Sequence, residues 1–354
     1  MKTVHNIINN NSQQMNELED NSIDLVVTSP PYPMIEMWDE TFSNLDPDIK
    51  KQLDEENGNS AFELMHQQLN KTWNEIHRVL KPGGIACINI GDATRKLGNQ
   101  FQLYSNHAKI INYFSDLGFS ILPDILWRKQ SNKPNKFMGS GMIPPNAYAT
   151  LEHEYILIFR KGTNRIFSKQ EKKLRYESAY FWEERNTWFS DIWFDVKGTI
   201  QTLNKNTLRE RSAAYPFDLP YRLIHMYSIK NDTVLDPFWG TGTTTLAAIS
   251  SMRNSIGYEI DSNFTNMFTQ YLDKIKTITH TKNKKRLQDH LDFVKKRKKQ
   301  NHQMKYKMTQ YNTEVITKQE QEILFYDIES INTNPLEVTY KKYKHETQKK
   351  LLIE

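Results

Sequence analysis

Two short segments of this chain combine residue types that can hold a flat, nitrogen-bearing ligand. The first is Ser29-Pro30-Pro31-Tyr32, which follows the apolar run Ile23-Asp24-Leu25-Val26-Val27-Thr28. Successive prolines fix φ and stiffen the turn at a strand's carboxyl end, where ligands of α/β sheets bind. The Ser29 hydroxyl and the Pro30 carbonyl can accept the hydrogens of an amino group, and the face of Tyr32 can stack on a planar ring. By themselves these residues fit an ordinary Pro-Pro loop with a packed tyrosine equally well.

The second segment, Val234-Leu235-Asp236-Pro237-Phe238-Trp239-Gly240-Thr241-Gly242-Thr243-Thr244-Thr245, reads as a strand, a glycine turn and the start of a helix. Gly240 and Gly242 let backbone approach a ligand, and the helix N-terminus beyond supplies oriented N–H donors. It is not a phosphate-binding P-loop, because no Lys follows the last glycine. Nor does it complete GxGxxG, since Thr245 stands at the third glycine position. One strand further on, Ser255-Ile256-Gly257-Tyr258-Glu259-Ile260-Asp261 ends in acid, and a carboxylate such as Glu259 can bind both hydroxyls of a ribose. Dinucleotide enzymes want a similar acid, so this feature alone does not discriminate.

Elements must bring these loops together. Short apolar runs alternate with amphipathic segments, the pattern of a doubly wound α/β sheet. Strands are expected at Ile23–Ser29, Ile85–Ile90, Ile121–Arg128, Glu154–Arg160, Thr233–Phe238 and Ser255–Glu259. Ala61, Met65, Leu69, Trp73, Ile76 and Leu80 recur at helical spacing until Lys81-Pro82-Gly83-Gly84 stops the helix. Further helices are expected near His107–Leu117, Pro220–Tyr227, Thr244–Met252 and Asn263–Ile275. No internal repeat is visible.

Composition bounds the rest. With 354 residues, 38% hydrophobic and 12% aromatic, the chain can bury a catalytic domain of about 250 residues plus additions. Cys87 is the only cysteine, which excludes an internal disulfide and a cysteine-cluster metal site and fits a reducing cytoplasm. It lies inside a predicted strand, where a buried core thiol is the better reading than a nucleophile. Neither a secretion signal nor an 18-residue apolar span is present, so a cytoplasmic protein with no membrane association is expected. His107 and His153 have no partner pattern suggesting catalysis, and Glu36 and Asp39 read better as caps of the following turn than as base contacts.

The net charge of +5 is uneven. From Lys274 to Lys307 there are 13 Lys and Arg against Asp289 and Asp292, a local balance of +11. A polyanion would find its positive field there; a solvated charged helix explains the run equally well. From Gly162 to Arg211, aromatic residues (Phe167, Tyr176, Tyr180, Phe181, Trp182, Trp188, Phe189, Trp193) interleave with Arg165, Lys169, Arg175, Arg185, Lys197, Arg209 and Arg211. Such an insertion can contact phosphates and read base edges, or form an aromatic mini-core with charged edges. After Ile275 the chain turns polar and lysine-rich, consistent with an accessory helix pair or partial disorder.

TSPPY followed some two hundred residues later by DPFWGTGTT resembles the amino-methyltransferases of DNA restriction–modification systems. The motif order resembles the permuted arrangement called the beta class, over roughly residues 5–275. That resemblance implies a doubly wound mixed sheet of the Rossmann-like methyltransferase type. It implies a catalytic part at residues 1–161, a target-recognition region at 162–210 and a cofactor-binding part at 211–276; a basic C-terminal extension at 277–354 lies outside it. It implies S-adenosyl-L-methionine as cofactor, held by Asn11, Thr28, Asp236, Pro237, Phe238, Gly240, Gly242, Thr243, Thr244 and Glu259, and catalysis by Ser29, Pro30, Pro31 and Tyr32. The implied partners are double-stranded DNA and a functionally linked restriction endonuclease, with a monomer or homodimer as the assembly.

Further pieces are similar to the family. They are Lys81-Pro82-Gly83-Gly84 leading to Gly91-Asp92, the loop of Trp127-Arg128-Lys129 with Asn132 and Pro134, and Arg211-Ser212-Ala213-Ala214-Tyr215-Pro216-Phe217, which resembles the segment closing over the cofactor's methionine part. The chain departs at Asn11, where many relatives carry an acid, although asparagine can still bond an adenine edge. Serine at position 29 resembles the N4-cytosine enzymes, whereas Asp or Asn is more usual in N6-adenine ones. In such a reaction the target nucleotide must leave the duplex, and the amino nitrogen needs position and polarisation. The released proton can go to solvent, so no dedicated strong base is called for. Methylation of RNA or protein, or an inactive DNA-binding derivative, are the more distant alternatives.

Overall fold

The computed structural model describes residues 1–129, 138–139, 142–197 and 215–345. A ten-stranded mixed sheet runs through the molecule. Its strands are β1 (Lys2–Ile8), β2 (Ile23–Thr28), β3 (Leu80–Ile90), β4 (Phe119–Arg128), β5 (His153–Lys161), β6 (Ile192–Trp193), β7 (Thr233–Asp236), β8 (Asn254–Tyr258), β9 (Tyr326–Thr333) and β10 (Leu336–Lys342). Across the sheet they follow the order β6-β4-β5-β3-β2-β7-β8-β1-β10-β9. The five central strands from β3 to β1 are parallel, β5 is antiparallel to both its neighbours, and β10 and β9 continue the sheet in antiparallel fashion. This is the Rossmann-like α/β class that the alternating pattern predicts.

Two short helices, α1 (Asp39–Leu45) and α2 (Pro47–Asp54), follow β2 and lead into the long α3 (Gly58–Val79). An antiparallel hairpin, Ala93–Leu97 with Gln100–Tyr104, follows β3 and precedes α4 (Asn106–Asp116). Two more short helices, α5 (Lys169–Glu177) and α6 (Trp182–Trp188), lie between β5 and β6, and α7 (Asp218–Tyr227) and α8 (Thr243–Ser250) flank β7.

Every residue of β2 is buried, because the sheet is covered on both faces. Side-chain alternation divides the core accordingly. Val26, Ala86, Ile88, Leu157 and Phe159 pack with α3 and α4 on one face. Leu25, Val27, Cys87, Ile156 and Ile158 pack with α7 and α8 on the other.

Three expectations are corrected. The sheet has β1, β6, β9 and β10 beyond the six strands read from the sequence. The strand expected at Ile85–Ile90 begins earlier, at Leu80, with Lys81-Pro82-Gly83-Gly84 ending α3 and forming an irregularity in the β2–β3 pairing, where Gly83 has φ +82°. The helix expected at Asn263–Ile275 continues as one 38-residue element, Ser262–Lys299 (α9), and the following chain returns to the sheet as β9 and β10. The stripe that holds α9 down includes Phe264, Phe268, Leu272, Ile275, Thr279, Asn283, Leu287, His290 and Val294. Its polar members hide the helical periodicity.

The aromatic and basic insertion divides between its two readings. Phe181 is fully buried in a small core with Leu287, Met308, Val315 and Phe325, while Trp188 and Trp193 join the main sheet's core. Tyr176, Trp182 and Phe189 stay exposed. Arg165 is bound by Asp232 and Glu171. Lys197 is described, whereas Arg209 and Arg211 lie outside the described residues, as do Asn132 and Pro134.

Candidate active site

The chain order reverses between β2 and β7, so their carboxyl ends diverge into a crevice. The two motif loops meet there. Ser29, Pro30 and Pro31 line one side of a 220 Å³ cavity, and Asp236, Pro237, Phe238, Gly240 and Thr243 line the other.

Asp236 ties the two strands together. Its carboxylate accepts the Thr28 hydroxyl at 2.6 Å, the Thr244 hydroxyl at 2.6 Å, the Phe238 amide at 3.2 Å and the Tyr215 hydroxyl at 3.4 Å. Burial raises its pKa, against the lowering effect of those donors. The Tyr215 hydroxyl, which also bonds Thr244, is pushed well above its usual value by burial and by the charge of Asp236.

Glu259 stands past the end of β8. One oxygen accepts the Gly240 amide at 2.7 Å and the other the Asp261 amide at 2.9 Å, and burial raises its pKa. Each carboxylate oxygen keeps a lone pair for a ligand hydroxyl. Gly240 has φ +52° and little but open space around its missing Cβ, so the cavity floor there is bare backbone. Trp38, Phe42, Leu45 and Leu69 form an apolar wall, and Asn11 with Ser12 and Gln13 closes the rim. Asn11 Oδ1 accepts the Gln13 amide at 2.9 Å, which sets that rim turn.

Three expected ligand contacts do not line this cavity. Thr28 and Thr244 are buried and spend their hydroxyls on Asp236. Gly242 serves packing: a Cβ there would lie 2.5 Å from the Phe268 ring and 2.7 Å from Trp239.

Tyr32 sits beyond the cavity wall in a second polar group. Its hydroxyl donates to Glu154 Oε2 at 2.9 Å, lies 3.2 Å from Ser29 Oγ and accepts from Asn89 Nδ2 at 2.8 Å. Asn89 also donates to Glu154 Oε2 at 2.8 Å, and Lys129 donates to Glu154 Oε1 at 2.5 Å. Burial and the charge of Glu154 raise the Tyr32 pKa well above its usual value. Reading the chain residue by residue assigns no role to Asn89 or Glu154. Their signal is three-dimensional, since β3 and β5 are adjacent and place both side chains beneath the loop after β2.

Other candidates fall where the sequence pattern put them or are tied elsewhere. Cys87 is buried in β3 with its thiol pKa raised by burial. His107 bonds Asp92 at 2.8 Å, and Asp39 is held in a two-pronged pair by Arg95. The positive excess of α9 is partly cancelled across space, by Glu184 on Arg286, Asp218 on Lys282 and Glu314 on Lys298. The basic end at Lys299 lies roughly 50 Å along the helix from Phe264, which lines the cavity. Among the described residues no cluster could hold a metal ion, and no helix is long and apolar enough to cross a membrane.

Comparison with known proteins adds identity to this geometry. Residues 23–270 match the model of a family described as DNA methylase. The type II methyltransferase M.MthZI of Methanothermobacter thermautotrophicus is 53% identical over 100% of both chains. The type II methyltransferase M.MjaI of Methanocaldococcus jannaschii is 57% identical over 73% of this chain and 88% of its own. TTHA0409 of Thermus thermophilus, described as a putative DNA modification methylase and crystallised with S-adenosyl-L-methionine, is 27% identical, with a TM-score of 0.59 over 77% of this chain and 96% of that one.

Proposed function

Because the chain belongs to the DNA methylase family, we propose that it transfers a methyl group from S-adenosyl-L-methionine to N4 of cytosine at a specific site in double-stranded DNA. We read it as the modification enzyme of a type II restriction–modification system, in keeping with its two type II relatives.

The observation that carries this reading is the shared cavity wall: the Ser29-Pro30-Pro31 loop and the Asp236–Gly240 loop face each other across one crevice. The residues present suit the cofactor. Trp38, Phe42, Leu45 and Leu69 offer an apolar slot for a flat heterocycle, Glu259 offers two acceptor oxygens for ribose hydroxyls, and the bare backbone at Gly240 admits close approach. Asp236 and Tyr215 border the cavity, and Asp236, with both oxygens taken by donors, meets the ligand as part of a fixed wall. Asn11, Pro237, Phe238 and Thr243 complete the contacts, while Thr28, Gly242 and Thr244 act by holding that wall in place. When bound, the cofactor supplies an electrophilic methyl group on a sulfonium.

The chain's own work is positional. Ser29 Oγ and the Pro30 carbonyl accept the two amino hydrogens and draw the nitrogen towards tetrahedral geometry, while Tyr32 stacks on the extruded base. Extrusion costs a few kcal/mol, offset by stacking and backbone contacts. The hydroxyl at Ser29 supports cytosine as the base. Residues 162–210 are assigned to target recognition, residues 1–161 and 211–276 to the catalytic and cofactor parts.

Nucleoside mass measurement on DNA methylated by the purified chain is expected to give N4-methylcytosine. N6-methyladenine would overturn the choice of base. Ser29→Ala should lower the rate about 10²- to 10³-fold with cofactor affinity unchanged.

A further inference from the structure

Glu154, the second residue of β5, is buried. Besides Asn89 in β3 and Lys129 after β4, it binds Tyr32 in the loop after β2. Tyr32 has a single hydroxyl hydrogen, and the acceptor for it is Glu154 Oε2 at 2.9 Å. The Tyr32 oxygen already accepts from Asn89 and can only accept again from Ser29. The Ser29 hydrogen therefore points towards Tyr32; one Ser29 lone pair takes a long 3.4 Å contact from Asn89 Nδ2, and the other is left for the cavity that Ser29 lines. Every donor in the line points to one carboxylate.

We propose that Glu154 is the positioning residue and proton sink of the catalytic loop. Acting through Tyr32, it fixes Ser29 as an acceptor towards the target amino group and takes up the proton that methylation releases. The inference rests on the methyltransferase reading given above. In the step, the amino lone pair forms the new N–C bond while the S–C bond of the sulfonium breaks and its electron pair stays on sulfur. The nitrogen, now positively charged, gives a proton to Ser29 Oγ. The Ser29 proton passes to the Tyr32 oxygen and the Tyr32 proton to Glu154. The products are a neutral methylated amine, neutral Ser29 and Tyr32, and a protonated carboxyl. Lys129, half exposed on the far oxygen of Glu154, marks the way out to water. The 3.2 Å separation of Ser29 from Tyr32 is long for O–H···O and is expected to tighten when a base is held.

The test is single-turnover methylation of a duplex from pH 5 to 9, run with DNA affinity, melting temperature and the fluorescence of 2-aminopurine at the target position. Glu154→Gln keeps the shape and removes the sink. It should slow methylation about 10²-fold across that range and leave affinity, melting and the flipping signal unchanged. Glu154→Asp should recover part of the rate. Tyr32→Phe should lose a similar factor, and the double variant should be no slower than about twofold below the worse single one, because both cut the same line.

A Glu154→Gln rate within threefold of the parent overturns the proposal. So does a rate loss matched by weaker DNA binding or lower melting, which would mark a purely structural residue. So, too, does a double variant that multiplies the two losses. A parent chain that methylates no DNA overturns the underlying reading instead. Methylated adenine would change only the base, with Glu154→Gln still deciding the relay.

Discussion

Two buried carboxylates stand on adjoining parts of the crevice and are used in opposite ways. Asp236 receives four donors from β2, α8, its own turn and Tyr215, all within a closed group. Glu154 is approached by Asn89 and by a line of hydroxyls that ends at the cavity, and from the other side by an exposed lysine. A closed group satisfies polar atoms and fixes geometry, whereas an open line leaves an end free for a substrate. The difference teaches that a buried acid at an active site is not by that fact a catalytic one; the direction of its hydrogen bonds separates frame from chemistry.

The sharpest way to break the comparison is Asp236→Ala. It strands the Thr28, Thr244 and Tyr215 hydroxyls in the interior, and urea unfolding should show a loss of about 3–5 kcal/mol. Glu154→Gln should cost less than about 1 kcal/mol in the same measurement. Equal losses would erase the distinction.

Acid sharpens it from another side. Burial pushes the His5 imidazole down to about 3 and that of His66 to about 4. Both rings stay neutral when folded and take up protons on unfolding below about pH 6.5. Their contribution is complete above that pH and is lost as pH falls towards the folded values. At pH 5.5 each costs about 1.4 kcal/mol, roughly 3 kcal/mol together, relative to pH 7.5. Denaturation at the two pH values checks this, and a flat profile would deny that the frame excludes protons.

A modest effect, on binding and not on folding, is expected at Glu259→Gln. The amide retains one acceptor for two backbone N–H groups and a ligand hydroxyl. Calorimetry should show cofactor affinity weaker by about tenfold, or 1.4 kcal/mol, with the unfolding free energy little changed. An unchanged affinity would leave Glu259 to the frame beside Asp236.

Much of this architecture is legible in the sequence for a physical reason. Ile23–Thr28 is apolar but for Asp24 and Thr28 because β2 is covered on both faces, and the prolines and glycines stand where backbone must stop or approach a ligand. What stays hidden is hidden by polar residues with partners. β1 escapes notice because Thr3 and His5 occupy buried positions, where they bond each other and His5 bonds Ser255. α9 looks shorter than it is because Thr279, Asn283 and His290 lie in its buried stripe. Glu154 is 125 positions beyond Ser29, and only the antiparallel placement of β5 beside β3 brings it under the loop. No local pattern encodes that meeting.

The adjacency of β2 and β7 also sets a timetable. Thr28 and Asp236 are separated by 208 positions, which a ribosome covers in about 10–40 s at ordinary speeds of about 5–20 residues per second. During that interval β2, apolar along almost its whole length, has one edge without its neighbour. A nascent chain so exposed is open to wrong strand pairing, and the crevice can take shape only when β7 has been made.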